Sequence, residues 1–250
     1  MLAAVNSSDA VLIGGQAVNV WAYHYLKKLP ELQHLGPFTS KDIDFFGTAQ
    51  AAAHLAKTIG GRVILPRIDD ATPNSAVVIA NMNDRKICID FMASVLGVKD
   101  TEIRNRVVVL EGNLGVTGER VGIALLHPVD CLKSKLANIN ILHRQDIYAL
   151  NQAKASILIV RGLIDDLLDA GETRKAIRLL GELFYLARNE CIRRNAYLEH
   201  GLNVGEILIG LSNDPRIDTR WRQFNLKHFC AELRRYISIA DQRKAKLIQH

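Results

Sequence analysis

The sequence predicts an α+β protein: a mixed β-sheet domain with flanking helices over residues 1–126, followed by an α-helical bundle domain over residues 127–250. Three observations carry that expectation. Short β-branched runs separated by turn residues dominate the first half. Two segments there, near residues 16–29 and 48–59, repeat apolar residues with helical period instead. After "LHPVD" every remaining apolar pattern is helical in period.

The elements follow in order. "AVLIGG" is a short strand ending in Gly14 and Gly15, and "QAVNVWAYHYLKKL" is an amphipathic helix. "FTSKDIDFFG", residues 38–47, alternates as a strand does, with Ile43 and Phe45 on one face and Asp42 and Asp44 on the other. Thr48 is placed to cap the next helix, and Gly60 with Gly61 to stop it. "RVILPRI", "SAVVIANM", "RKICIDFMA", "NRVVVLEG" and "RVGIAL" read as further strands. Pro128 suits a first helical turn, and helices are expected near 129–141, 145–160, 173–197, 204–211 and 217–247.

Composition narrows the class. The chain has 250 residues, 48% hydrophobic and 23% charged, with no apolar run long enough to span a bilayer and no basic stretch before its first apolar patch. A cytoplasmic protein without a membrane partner is therefore expected. Cys88, Cys131, Cys191 and Cys230 are isolated in sequence, and no two histidines are spaced i, i+4. Reduced, partly buried thiols are expected in place of a zinc site. Residues 1–150 hold 15 Lys and Arg against 14 Asp and Glu, while residues 151–250 hold 17 against 12. A basic second half is compatible with a polyanionic partner and equally with an ordinary basic helical surface.

Three aspartates are the candidates for chemistry. Asp42 and Asp44 share a strand face, and Asp90 lies in the apolar strand "KICIDFMAS". A carboxylate among apolar neighbours is costly unless it is paired, protonated or bound to a cation. Three of them, with Lys41 as the sole adjacent cation in sequence, suggest a shared hard cation, for which Mg²⁺ is the natural occupant. Upstream, Gly14 and Gly15 stand between strand and helix, where backbone N–H groups approach a phosphate. The glycines fit neither G-x-x-x-x-G-K-[ST] nor G-x-G-x-x-G, so a P-loop and a dinucleotide fold are unsupported.

The order strand, Gly-Gly, helix, then D-x-D, then a lone Asp on a later strand resembles the nucleotidyltransferase domain of the DNA polymerase β superfamily. It is most similar to the AbiEii-type nucleotidyltransferases found as toxins of toxin–antitoxin systems. Gly14 and Gly15 match the first motif, "SKDIDFF" the second and "CIDFM" the third. "LHPVDCLKSKLANINILHRQDIYAL" is similar to a family segment that places Lys135, Arg144 and Asp146 at nucleotide-binding positions, with Lys133 a rival for the first role.

The resemblance implies a nucleotidyltransferase fold and Mg²⁺-dependent transfer of NMP from an NTP to a hydroxyl. Asp42, Asp44 and Asp90 would be catalytic and hold two ions. Gly14, Gly15, Ser40, Lys41, Lys135, Arg144 and Asp146 would bind the nucleotide. The acceptor it implies is tRNA or protein, and a cognate antitoxin is a further implied partner. A small-molecule, antibiotic-type nucleotidyltransferase, a housekeeping RNA-tailing enzyme and a non-catalytic nucleotide-binding module are the alternatives.

Overall fold

The computed structural model of the chain describes residues 10–38, 40, 42–67, 69–82, 85–114 and 119–248. Two compact units divide it: residues 1–24 with 36–134, and residues 25–35 with 135–250. The division falls between Ser134 and Lys135, inside a helix, where the sequence places it at 126. It also assigns a short early segment to the second unit.

The first unit holds a seven-stranded mixed sheet in the order β3-β4-β5-β2-β1-β7-β6. The strands are β1 (Val11–Leu12), β2 (Ile43–Phe46), β3 (Arg62–Ile64), β4 (Asn74–Met82), β5 (Arg85–Met92), β6 (Val108–Leu114) and β7 (Glu119–Leu125). β2 lies between antiparallel β1 and parallel β5, so it is central and carries its apolar residues inward. Phe45 and Phe91 are buried and stack at 5.6 Å, and Ile89 and Val78 are fully enclosed beside them. Burying each such side chain is worth about 1.5–3 kcal/mol. The strand expected over residues 38–47 is trimmed to four residues, because its ladder with β5 begins only at Ile43 opposite Ile89. Asp42 therefore stands immediately before the strand.

Helix α1 (Gly14–Tyr25) buries Ala17, Val18, Trp21 and Ala22 on one face, and the Trp21 indole N–H donates to the carbonyl of Leu126 at 2.9 Å. Helix α2 (Ala49–Ile59) ends as its sequence dictates. The Thr48 hydroxyl accepts from the Ala51 N–H, and Gly60 closes the helix at φ +67°. Helix α3 (Asp100–Arg106) is not among the elements the sequence predicts; its acids sit in the first turn and its arginines in the last, in line with the helix dipole. Helix α4 (Pro128–Ile141) begins on its proline and crosses the division.

The second unit is helical. A 3-10 helix (Pro30–Leu35) precedes α5 (Ile147–Asp169), α6 (Thr173–Arg188), a π-helical segment (Ile192–Glu199), α7 (Gly205–Gly210), α8 (Thr219–Trp221), a π turn (Arg222–Leu226) and α9 (Lys227–Ile248). The single helix expected over 173–197 breaks at Asn189, whose backbone turns extended (ψ 123°) and whose side chain caps the Ile192 N–H. α5 packs closely on Tyr25. A Cβ at Gly162 would stand 2.8 Å from the tyrosine ring, so glycine is required by space there. Around α5, Lys28 pairs with Asp166 at 2.6 Å, and Arg216 joins Asp165, Asp169 and Asp214. None of the four cysteines forms a disulfide. Cys131 and Cys230 are buried, but Cys88 and Cys191 are exposed, which corrects the expectation of partial burial for those two.

Candidate functional site

The site grows from the join between β1 and α1. After Leu12 the chain reaches Gly14 in the left-handed region, φ +65°, and starts the helix at once. The Ile13 N–H donates to the carbonyl of Asp44 at 2.9 Å, fixing this turn against β2. A Cβ at Gly14 would lie 2.3 Å from Asp44 Oδ2 and 3.2 Å from its Cγ. The Asp44 carboxylate thus occupies the space a side chain would fill. Gly15, next in the chain, is buried in the first turn of α1.

β2 and β5 run parallel with Asp44 directly opposite Asp90. Two carboxylates on adjacent strands at one register sit about 5 Å apart at the backbone and repel. Asp90 is half-buried and accepts from the Asn74 side-chain N–H at 3.2 Å. Burial, and then the negative charge of Asp42, raise its proton affinity above that of an ordinary aspartate. Asp42 itself is exposed. The Ser40 hydroxyl donates to the backbone carbonyl of Asp42 at 3.1 Å, and the Ser40 carbonyl accepts from Gln16 on α1 at 3.2 Å. The acid-bearing loop is therefore tied to the helix that follows the glycines. Gln16 and Asn74 were not singled out from the sequence; a lone amide carries no pattern, and only its neighbours in space give it a role.

Of the residues expected to bind nucleotide, Lys41 lies outside the described residues. Lys135, Arg144 and Asp146 belong to the second unit. Lys135 is 8% exposed and donates to Gln152 Oε1 at 2.7 Å. Its rival Lys133 is in the first unit and pairs with Glu102 at 2.8 Å and Asp130 at 3.7 Å. Arg144 is exposed, and Asp146 caps α5 by accepting from the N–H groups of Tyr148 and Ala149, both at 3.0 Å. That capping accounts for an aspartate at 146 on its own.

The set Asp42, Asp44 and Asp90 offers oxygen alone, which fits a hard divalent ion. The raised proton affinity of Asp90 comes first from burial and then from the charge of Asp42, and a bound cation would offset both. This has a consequence for stability in the absence of metal. A carboxyl whose folded pKa is raised costs nothing below its unfolded value, and the penalty grows as pH rises toward the folded value. Asp90→Asn, which keeps an acceptor for Asn74, is expected to raise the Tm of the EDTA-treated protein at pH 7. The gain should shrink at pH 4. An equal gain at both pH values in thermal melts rules out the electrostatic account.

Comparison with protein-family models, with curated proteins and with solved structures finds no match to this chain. Among the described residues, no helix is long and apolar enough to cross a membrane.

Proposed function

We propose that the first unit is a Mg²⁺-dependent nucleotidyltransferase, moving NMP from an NTP to a hydroxyl of tRNA or protein. The observation that carries this reading is the register of Asp44 with Asp90 on parallel strands, beneath a glycine turn that opens a helix. The resemblance supplies only the order of these motifs, and the register adds that two of its three carboxylates stand side by side.

Each residue then has a task. Asp42, Asp44 and Asp90 would hold Mg²⁺, which supplies neutralisation of phosphate charge and acidifies the acceptor hydroxyl. The first-turn N–H groups of α1, left without helical partners, donate to phosphate oxygens, and the helix dipole adds to the attraction. Gly14 leaves room for the Asp44 carboxylate to stand against that turn. Asp90, with its raised proton affinity, accepts the hydroxyl proton as the new oxygen–phosphorus bond forms and the bond to the leaving pyrophosphate breaks. Gln16 and Ser40 hold the loop that presents Asp42. Residues of the first unit alone carry this reading.

The test is direct. The protein is incubated in Mg²⁺ with each of the four α-labelled NTPs and either total tRNA or a soluble protein extract. Label is expected on one acceptor class from at least one NTP, with release of pyrophosphate. No label from any combination, together with no NTP binding by calorimetry, overturns the proposal.

A further inference from the structure

We propose that the second unit carries a binding surface for single-stranded polynucleotide, built from one face of α6 and the π turn that leads into α9. This inference stands without the nucleotidyl-transfer reading, because it uses none of the aspartates.

On α6, Arg174, Arg178, Gly181, Tyr185 and Arg188 recur at i, i+4, i+7, i+11 and i+14, which places them on one side of the helix. The three arginines are exposed, and Tyr185 is 69% exposed. Gly181 leaves a flat gap between them, since a Cβ there would meet nothing within 4 Å. Arg188 lies over the ring of Phe184 at 5.3 Å.

Beneath this face, packing joins α6 to α9 through Phe184, which is only 3% exposed. Phe184 is 5.7 Å from Tyr185 and stacks on Phe229 at 3.8 Å, and Trp221 meets Phe229 edge-on at 6.0 Å. Between Trp221 and Phe229 the chain makes its π turn, Arg222–Leu226, a feature that recurs at functional sites. The turn presents Phe224, 70% exposed, with His228 one helical turn further on and also exposed. A phenylalanine so placed loses the benefit of burial, while its face is available to another flat ring.

Charge selects the partner. Residues 219–235 hold five Lys and Arg (Arg220, Arg222, Lys227, Arg234, Arg235) against one acid, Glu232. That acid is engaged, by Arg188 at 2.8 Å and by the Tyr236 hydroxyl at 3.0 Å. Asp218, just before, is used in capping the Trp221 N–H. Exposed rings among cations suit a ligand that offers flat faces and regularly spaced negative charge, which is an unpaired polynucleotide. A duplex hides its base faces and cannot use the rings.

The experiment is fluorescence anisotropy on the full chain with a labelled RNA of about 12 nucleotides, the same sequence as DNA, and a blunt duplex. Single strands are expected to bind at least about tenfold more tightly than duplex, and the RNA and DNA arms decide whether the 2′-hydroxyl is read. Phe224→Ala and Tyr185→Ala should each weaken binding about tenfold. Lys227→Ala should flatten the slope of log affinity on log salt by about 0.7. Gly181→Glu adds a carboxylate in open space with a better helix former, so it should weaken binding without lowering Tm. Asp44→Ala should bind as wild type, which keeps this result separate from the fate of the catalytic reading. No single-strand binding at low salt, unchanged affinity in both aromatic variants, or equal competition by polyglutamate overturns the proposal, the last pointing to an acidic protein instead.

Discussion

Asp44→Ala is expected to abolish NMP transfer, lowering it at least about a thousandfold, in a protein that remains folded. Asp44 stands opposite Asp90 in the parallel ladder, and its carboxylate fills the space over Gly14. Removing it takes away the carboxylate that stands opposite Asp90 and against the start of α1. Loss of one preorganised electrostatic group commonly removes about 3–4 kcal/mol of transition-state stabilisation, a factor of about 10²–10³. Loss of a metal ligand adds to that. The fold should survive, because β2 is held by its backbone ladders to β1 and β5 and by buried Phe45 and Phe46, all of which the substitution leaves in place. One like charge also disappears from the site. Two measurements separate the outcomes: label transfer, and the rise in Tm on adding Mg²⁺ to metal-free protein, expected in wild type and lost in the variant. Wild-type transfer by Asp44→Ala ends the account of these carboxylates as a metal-holding set.

Much of this was legible in the sequence, and what was not has physical reasons. Alternation located β2, and helical period with Thr48 and Gly60 bounded α2, because these signals are local and one residue wide. The register of Asp44 with Asp90 is not local. β3 and β4 lie between β2 and β5 in the chain, and nothing in "DIDFF" or "CIDFM" states that the two strands are neighbours, parallel and unshifted. α3 is seven residues long, too short for a periodic pattern, although the order of Asp100 and Glu102 before Arg104 and Arg106 was the available sign. Asp146, a nucleotide ligand by resemblance, also caps α5; both uses ask for an acceptor at a helix start, and sequence does not separate them. The aromatic surface on the second unit has no pattern in the sequence, because its rings come from two helices. The π turn at Arg222–Leu226 also shifts the phase between Trp221 and Phe229.

Gly14→Ala is expected to cost nearly as much activity as loss of the aspartate, although it adds a single methyl group and removes nothing. Two effects act there, and the chain contains a control that splits them. The first is backbone strain. Gly14 has φ +65°, a conformation that costs an L-residue about 1–2 kcal/mol. Gly60 has φ +67° at the end of α2 and nothing within 4 Å of a would-be Cβ. Gly60→Ala therefore carries the strain alone, and should lower stability by about 1 kcal/mol with transfer unaffected. The second effect exists only at Gly14. Its methyl would stand 2.3 Å from Asp44 Oδ2, about 1 Å inside contact, so the carboxylate must swing away or the turn must open. Displacement of about 1 Å in a positioned group is enough to slow chemistry roughly a hundredfold. The expected result is a pair of variants with similar melting temperatures and widely different transfer rates, measured side by side by calorimetry and label incorporation. If Gly14→Ala and Gly60→Ala are equally active, the glycine serves the turn and not the carboxylate, and the close approach of Gly14 to Asp44 has no part in catalysis.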